Sequence, residues 1–261
     1  MKLASQEKMV PGVELAEKLD NLAKYGYEGI EFGGRGLEER GDEIVKATEN
    51  HPVKASTICA GYGGCLLDSD PEQRELAIAG IRSLLKVGAQ IGAVGLIMVP
   101  IFGAPRIRDL SPYKTTEELE TELLVAILKD IAGYAEEVGS IVLVEPLNRY
   151  ETHFIKSLND GVEICKRVDS PNVAIMADFF HMSLQERNIP ESIEAAGVHI
   201  RHVHLADSTR ELPGYGHTDF AAGFAALKRI GYRDYMALEC AIPGPSDVEL
   251  PKSAAYMKQW L

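Results

Sequence analysis

Four side chains that can bind a metal ion stand at the ends of four consecutive apolar runs in this sequence. They are Glu145 at the end of IVLVE, Asp178 at the end of VAIMAD, His204 near the end of IRHVHL and Glu239 at the end of YMALE. Successive members are about 30 residues apart, which is the usual length of one strand–helix unit. Because side chains alternate along a strand, each acid shares one face with every second residue of its own run. If those faces point towards a common centre, the four side chains converge there.

The chemistry of this set is that of a divalent metal site. One acid after a strand is most often a helix cap, but metal-binding residues at four successive strand ends indicate a shared site. Three carboxylates at one point repel one another unless a cation compensates them. Carboxylates and one imidazole, with no thiolate, suit one Mn²⁺, Mg²⁺, Co²⁺ or Zn²⁺ ion, and we expect Mn²⁺ first. His202 shares its face with His204, and we assign the ligand to His204 because it lies nearer the strand end.

The elements that must position these residues are short strands that alternate with amphipathic helices. Apolar runs that predict strands occupy residues 2–6, 27–32, 53–59, 94–99, 141–145, 173–178, 200–205 and 235–239. Helical periodicity is clearest over residues 13–24, 116–138, 218–230 and 250–261. Strands that alternate with helices form parallel sheet. Eight such units in 261 residues predict an α/β protein with a single (β/α)8 TIM barrel, one domain over residues 1–261.

An open, doubly wound sheet is the alternative fold, but the glycine fingerprint of dinucleotide-binding sheets is absent. The barrel also explains why the candidate ligands end their strands. Active sites of TIM barrels lie at the carboxyl ends of the strands, where the loops that follow them meet.

The overall composition limits the class of partner. The net charge is −12, from 39 acidic and 27 basic residues, which disfavours nucleic acid. The first residues lack the apolar core of a signal peptide, and no apolar stretch reaches the roughly 20 residues of a membrane span. The four cysteines form no C-x-x-C pair and are expected to be reduced thiols. We therefore expect a cytoplasmic protein that contacts no membrane.

Polar residues follow the candidate ligands at short offsets. The motifs are E-x-x-N-R-x-E over residues 145–151, D-x-x-H over 178–181 and H-x-H-x5-R over 202–210. With the closing Glu239, these motifs resemble the sugar phosphate isomerase/epimerase superfamily of xylose isomerase-like TIM barrels. Within it they are most similar to the ketose 3-epimerases of the D-tagatose/D-psicose type. The resemblance rests on residues 141–240, since residues 1–140 match only in their alternation of predicted strands and helices.

The resemblance implies a role for each matching position. Metal binding falls to Glu145, Asp178, His204 and Glu239. The first and last of these, Glu145 and Glu239, would also be the catalytic acid/base pair. Contacts to the hydroxyl groups and carbonyl oxygen of a small carbohydrate fall to Glu151, His181 and Arg210. The resemblance also implies a homo-oligomer, for which the apolar residues of 100–113 and 242–261 are candidates.

Some roles stay open at this point. Asn148, His153 and Asp207 are compatible with substrate contact and with loop scaffolding. Residues of the early strands and loops are candidates for substrate selection, although a structural role fits each of them at least as well, namely Glu31, Cys59, Tyr62, Phe102 and Tyr113.

The expected reaction is proton abstraction next to a carbonyl, through an enediolate, by a divalent-metal-dependent isomerase or epimerase acting on a small sugar or keto-sugar. A lyase, a dehydratase or a keto-glycoside-cleaving enzyme on the same metal barrel is the alternative. These classes differ in product, because isomerisation conserves the substrate formula and elimination does not.

Overall fold

The computed structural model describes residues 1–261 and contains a closed barrel of eight parallel strands. Neighbours in the barrel are neighbours in the chain, and the last strand pairs with the first. In chain order the strands are β1 Lys2–Gln6, β2 Gly29–Gly33, β3 Lys54–Cys59, β4 Leu96–Met98, β5 Val142–Val144, β6 Val173–Asp178, β7 Ile200–Leu205 and β8 Tyr235–Leu238. The prediction of a single (β/α)8 TIM barrel is confirmed.

A helical segment follows every strand, and β6 is followed by two helices. The helices are α1 Leu15–Tyr25, α2 Gly41–Thr48, α3 Pro71–Ile91, α4 Thr116–Val138, α5 Leu158–Val168, α6 Phe179–Gln185, α7 Ile189–Ala196, α8 Phe220–Arg229 and α9 Ser246–Lys258. None of them combines the length and the apolar character that crossing a membrane requires.

Local chemistry defines where the long helix α4 begins and ends. Thr115 and Glu118 form a reciprocal capping box at its start, in which each side chain accepts a hydrogen bond from the backbone of the other. At its end, Gly139 adopts a φ of 74°, which a residue with a Cβ atom rarely adopts. These signals are readable in the sequence, and the observed helix matches the predicted range of 116–138.

The barrel interior places the predicted ligands at its mouth. An apolar layer inside the barrel is formed by Ile97, Leu143, Ala174 and Met176. Leu143 and Met176 stand two residues before Glu145 and Asp178, so alternation places the two acids on the same inward face, one level nearer the mouth. Most of the other buried apolar residues form one large core between strands and helices. The carboxyl ends of the strands are thus held by packing on both sides.

A pair of glycine substitutions tests the packing behind Asp178. Gly223 of α8 lies against the ring of Phe179, and an added Cβ atom would lie 2.4 Å from its Cε1 atom. We expect Gly223→Ala to lower the free energy of unfolding by about 1–3 kcal/mol, the usual range for an overpacked core. Urea denaturation measures this change.

Gly133→Ala is the matched control, because Gly133 is exposed inside α4 and no atom lies within 4 Å of an added Cβ. This variant should gain about 0.5–1 kcal/mol, since alanine is the better residue in a helix. Equal stabilities of the two variants would contradict the packing described here.

Candidate metal and active centre

The mouth of the barrel brings the four predicted ligands together. One ligand atom from each of Glu145, Asp178, His204 and Glu239 lies within 4.8 Å of the others. Asp178 and His204 are register partners on the neighbouring strands β6 and β7. Glu145 and Glu239 directly follow β5 and β8, on either side of that pair. Glu145, Asp178 and His204 are buried, and Glu239 is the most accessible member.

His204 faces carboxylates through both of its ring nitrogens. Its Nε2 atom lies 3.0 Å from each carboxylate oxygen of Glu31. Its Nδ1 atom lies 3.1 Å from Glu239 Oε2 and 3.8 Å from Asp178 Oδ2. This Nδ1 atom is buried and has no hydrogen-bond partner. An imidazole held at one nitrogen by a carboxylate, with the other nitrogen turned to further carboxylates, is the usual arrangement of a metal-binding histidine.

Glu31 of β2 anchors His204 from behind. Its carboxylate also accepts hydrogen bonds from Gln6 Nε2 at 2.9 Å and from Thr57 Oγ1 at 2.6 Å, and it lies 2.9 Å from His202 Nε2. Burial alone would raise the pKa of Glu31, but His204 and His202 outweigh it and hold this pKa well below its ordinary value. Because these donors occupy both oxygens, Glu31 serves as the hydrogen-bond acceptor of His204.

Arg210 bridges two carboxylates of the cluster. Its Nη1 atom donates to Asp178 Oδ2 at 2.7 Å, and its Nη2 atom donates to Glu239 Oε2. The guanidinium group also lies 4.6 Å from the centre of the Phe180 ring. The backbone of Arg210 has a φ of 61°, and its carbonyl oxygen accepts a hydrogen bond from Ala241 at 2.8 Å. Strain of this kind costs about 1–3 kcal/mol and concentrates at functional sites.

Protonation balances the remaining charge. Burial and the nearby Glu239 raise the pKa of Glu145 well above its ordinary value. Burial would lower the pKa of His204, but Glu31 and Glu239 outweigh it and raise this pKa well above its ordinary value. The pKa values of Asp178 and Glu239 are lowered, because nearby cationic side chains outweigh the effect of burial. These directions favour the protonated form of Glu145 and the cationic form of His204, beside the ionised forms of Asp178 and Glu239.

A second polar group borders the cluster on the side of Glu145. His181 Nε2 lies 3.9 Å from Glu145 Oε1 and 3.8 Å from Asp178 Oδ2. Asn148 donates to His181 Nδ1 from its backbone at 3.2 Å and from its amide at 2.8 Å, and the amide also donates to Glu151 Oε1 at 2.8 Å. Asn148 therefore turns the Nε2 edge of His181 towards the carboxylates. The structure brings the three predicted substrate contacts, His181, Glu151 and Arg210, to the edges of one cluster.

Two other candidates have contacts that build loops. His153 Nε2 lies 2.7 Å from the buried Glu120 of α4, and its Nδ1 lies 2.8 Å from the carbonyl oxygen of Gly103. This contact ties the loop after β5 to the loop after β4. Asp207 accepts backbone hydrogen bonds from three residues of the segment 208–218, which follows β7. For both residues, the scaffold interpretation fits the observed contacts.

Two residues of the centre lie outside the predicted site. Gln6 at the end of β1 donates to Glu31 and to Glu239, at 2.9 Å in each case. For Glu31, a candidate for substrate selection that a structural role fits at least as well, the structural role agrees with the contacts, because the side chain is fully buried and contacts His204. The available signal for Glu31 was its place inside the apolar strand GIEFG, since a buried charge needs partners.

The chain matches a known protein family over most of its length. The xylose isomerase-like TIM barrel family matches residues 19–260. The chain belongs to this family. A 3-dehydro-D-guloside 4-epimerase from Escherichia coli (strain K12) is 29% identical to it over 241 residues, which are 92% of each chain. A D-psicose 3-epimerase from Ruminiclostridium cellulolyticum is 28% identical over 233 residues, which are 85% of this chain and 76% of that relative.

A solved structure agrees with this assignment to the xylose isomerase-like barrels. The crystal structure of a 3-keto-D-glucoside 4-epimerase from E. coli has a TM-score of 0.90 and 27% sequence identity, and the match covers 99% of both chains. The predicted resemblance to the superfamily is therefore confirmed. The names of these relatives also confirm the prediction of a sugar isomerase or epimerase enzyme at the level of the class.

Removing the charge of Glu31 tests its role as the anchor of His204 in this xylose isomerase-like barrel. We expect Glu31→Gln to weaken Mn²⁺ binding by about 10–100-fold, the usual effect of losing the partner of a metal-binding histidine. Isothermal titration calorimetry measures the affinity. Glu28→Gln is the control, since Glu28 is exposed just before β2 at the opposite end of the barrel. Equal losses in both variants would show that general charge, and not the anchor, determines the affinity.

The pKa directions predict how metal binding depends on pH. The raised pKa values of Glu145 and His204 favour their protonated forms, and only the deprotonated forms bind metal, so Mn²⁺ binding should release protons. The affinity should therefore rise as the pH rises and fall as it falls. Titration calorimetry in buffers of different ionisation enthalpy counts the released protons. An affinity that is independent of pH between mildly acidic and mildly alkaline buffer would contradict these protonation states.

Proposed function

We propose that this protein is a divalent-metal-dependent epimerase or isomerase that moves a proton next to the carbonyl group of a small sugar or keto-sugar. The observation that carries the proposal is the convergence of Glu145, Asp178, His204 and Glu239 within 4.8 Å at the mouth of the barrel. Active sites of this fold lie at that mouth. The polar side chains that border the cluster supply contacts for a small polyhydroxylated substrate.

The residues present fit a divalent ion. The buried Nδ1 atom of His204 has no hydrogen-bond partner and lies among carboxylate oxygens, and the set of one imidazole and three carboxylates suits Mn²⁺ first and Mg²⁺, Co²⁺ or Zn²⁺ next. When bound, such an ion supplies positive charge beside the substrate oxygens that become anionic as the proton leaves. Glu145, Asp178, His204 and Glu239 would hold it.

Glu145 and Glu239 are the proposed acid/base pair. They follow β5 and β8, with two strands between them, so one can take the proton from one face of the reacting carbon while the other returns it to the opposite face. In the centre without an ion, burial raises the pKa of Glu145, whereas His204 and Arg210 outweigh the burial of Glu239 and lower its pKa. The two carboxylates therefore differ in proton affinity, and Glu145 is the more readily protonated member of the pair.

The bordering residues orient the substrate in this proposal. Arg210 places a fixed cation beside Asp178 and Glu239, where negative charge develops on the substrate. His181 presents Nε2 towards the same space, because Asn148 holds its other nitrogen. Glu151 is partly exposed at the rim and is the proposed contact for a substrate hydroxyl.

The names of the relatives support epimerisation over the alternative of elimination. A 3-keto-glycoside 4-epimerase and a ketose 3-epimerase both invert a carbon that is directly bonded to the carbonyl carbon. The shared requirement is therefore one acidic C–H bond next to a carbonyl, which the two carboxylates can serve. Elimination needs in addition a leaving group and an acid beside it.

Two finer expectations belong to this proposal. We propose that the protein self-associates, since the loop after β4 exposes Phe102 at 57% and Tyr113 at 75% of their surfaces. We also propose the cytoplasm as its location, in keeping with four cysteines that are all free thiols.

Mass spectrometry in D₂O tests the reaction. The Mn²⁺-loaded protein should incorporate deuterium into a ketose or a 3-keto-glycoside at the carbon next to the carbonyl, with no other change of formula. Glu145→Gln and Glu239→Gln should each lower the rate of epimerisation by about 10²–10⁴-fold, the usual contribution of a general acid or base. One of them should still exchange the proton of a single epimer, because one carboxylate remains on one face.

Metal content measured for each variant separates loss of the base from loss of the ion. Asp178→Asn is the matched control, as it makes the same chemical change at a proposed ligand that is not a proposed base. A product that has lost water or an aglycone would move the assignment to lyase chemistry. Absence of exchange with every keto-sugar, in the presence of bound metal, would contradict the proposed function.

A further inference from the structure

A cavity of about 460 Å³ leads away from the proposed centre on the side of the first strands. Its inner wall includes Gln6, Glu31 and Cys59, and Gln6 and Cys59 both contact the Glu239 carboxylate. Pockets for small-molecule ligands typically have volumes of about 300–1,000 Å³. The contacts to Glu239 connect the cavity with the proposed place of the reacting carbon. Its volume leaves room for a further group of the substrate.

The outer end of this cavity is cationic, in a chain whose net charge is −12. Three of its eight lining residues carry positive charge, namely Lys8, Lys18 and Arg40. They come from the turn after β1, from α1 and from the loop before α2, all at the mouth of the barrel. Nearby carboxylates balance them only in part, since Glu7 pairs with Arg40 and Lys18 and Glu43 pairs with Arg40, whereas Lys8 has no acidic partner.

Glu7 holds two of the three cations in position. Arg40 donates two hydrogen bonds of 2.9 Å to its carboxylate, and Lys18 Nζ lies 3.4 Å from one of its oxygens. Lys8 is exposed and makes no ion pair or side-chain hydrogen bond. An ion pair with Glu7 that only stabilises the fold would explain the presence of Arg40, but not that of the other two cations. It leaves the Lys8 ammonium group, and two of the three donors of Lys18, without a protein partner.

We propose that this end of the cavity binds an anionic group of the substrate, a carboxylate or a phosphate, through Lys8 and Lys18. The inference rests on the proposed function for the place of the sugar ring, and it narrows the substrate to sugars or glycosides that carry an acidic substituent. Glu7 keeps Arg40 and Lys18 in place at this end of the cavity, and Lys8 and Lys18 supply the ammonium donors that remain free. The reacting carbonyl would lie at Glu145 and Glu239, and the acidic substituent at the outer end.

Calorimetry with charged and neutral sugars tests this subsite. The probes are D-glucuronate, D-glucose 6-phosphate and D-glucose, titrated into the Mn²⁺-loaded protein at equal ionic strength. At least one anionic sugar should bind about tenfold more tightly than glucose, as expected from one charge-assisted hydrogen bond. Comparison of the two anions distinguishes a carboxylate subsite from a phosphate subsite.

Two variants locate the effect. The double variant Lys8→Gln/Lys18→Gln should abolish the preference for the anion. Lys24→Gln should keep it, because Lys24 is exposed on the same helix α1 and does not line the cavity. Thermal denaturation shows whether each variant is folded. An anion that coordinates the metal directly would be insensitive to the double variant, and this result would overturn the subsite.

Equal affinities for glucose and both anions, or no binding of either anion, would also overturn it. So would an equal loss in Lys24→Gln, because the effect would then follow from overall charge. Failure of the proposed function is a separate result. It would appear as absent deuterium exchange with neutral and acidic keto-sugars alike, while the preference for the anion remained.

Discussion

The centre of this protein depends on the compensation of buried negative charge. Glu31, Glu145, Asp178 and Glu239 lie around one point at the mouth of the barrel, where burial makes each ionised carboxylate unfavourable. Arg210 supplies a fixed positive charge, and the raised pKa values of His204 and Glu145 favour the forms that carry a proton. A divalent ion would supply the same compensation and displace protons from these groups. The same imbalance thus favours both metal binding and its coupling to protons.

The fold meets this requirement through register and alternation. Each of the strands β5 to β8 has one member of the cluster at or next to its carboxyl end, and Asp178 and His204 are direct register partners. Leu143 and Met176 fill the level below the acids and exclude water from that side. A slip of one residue in β6 would turn Asp178 outwards and Ala177 inwards, so the apolar pattern of the strand also specifies the ligand. The candidate metal centre and the barrel core are therefore specified by the same alternation of residues along the strands.

The helices and the four candidate ligands could be predicted from the sequence where a short stretch of residues is enough to indicate them. Periodicity and the cap at Thr115 were enough for α4, and strand ends were enough to find the four members of the cluster. Gln6 and Glu31 could not be found in this way. His204, the partner of Glu31, is 173 residues distant in the chain, and Glu239, a partner of Gln6, is 233 residues distant, so only closure of the barrel between β8 and β1 brings them together. Long-range hydrogen bonds of this kind leave no periodic trace in a single sequence.

The same first strands bear on whether a substrate would be epimerised or cleaved. After a proton leaves the carbon next to a carbonyl, elimination requires a proton donor beside the departing oxygen. On the cavity wall next to the centre, the amide of Gln6 cannot serve, and Glu31 is ionised because its pKa is held well below its ordinary value. Burial raises the pKa of the Cys59 thiol well above its ordinary value, which makes it a weak acid. This wall therefore offers no efficient acid for a leaving group, which in the proposed mechanism favours return of the proton from Glu145 or Glu239.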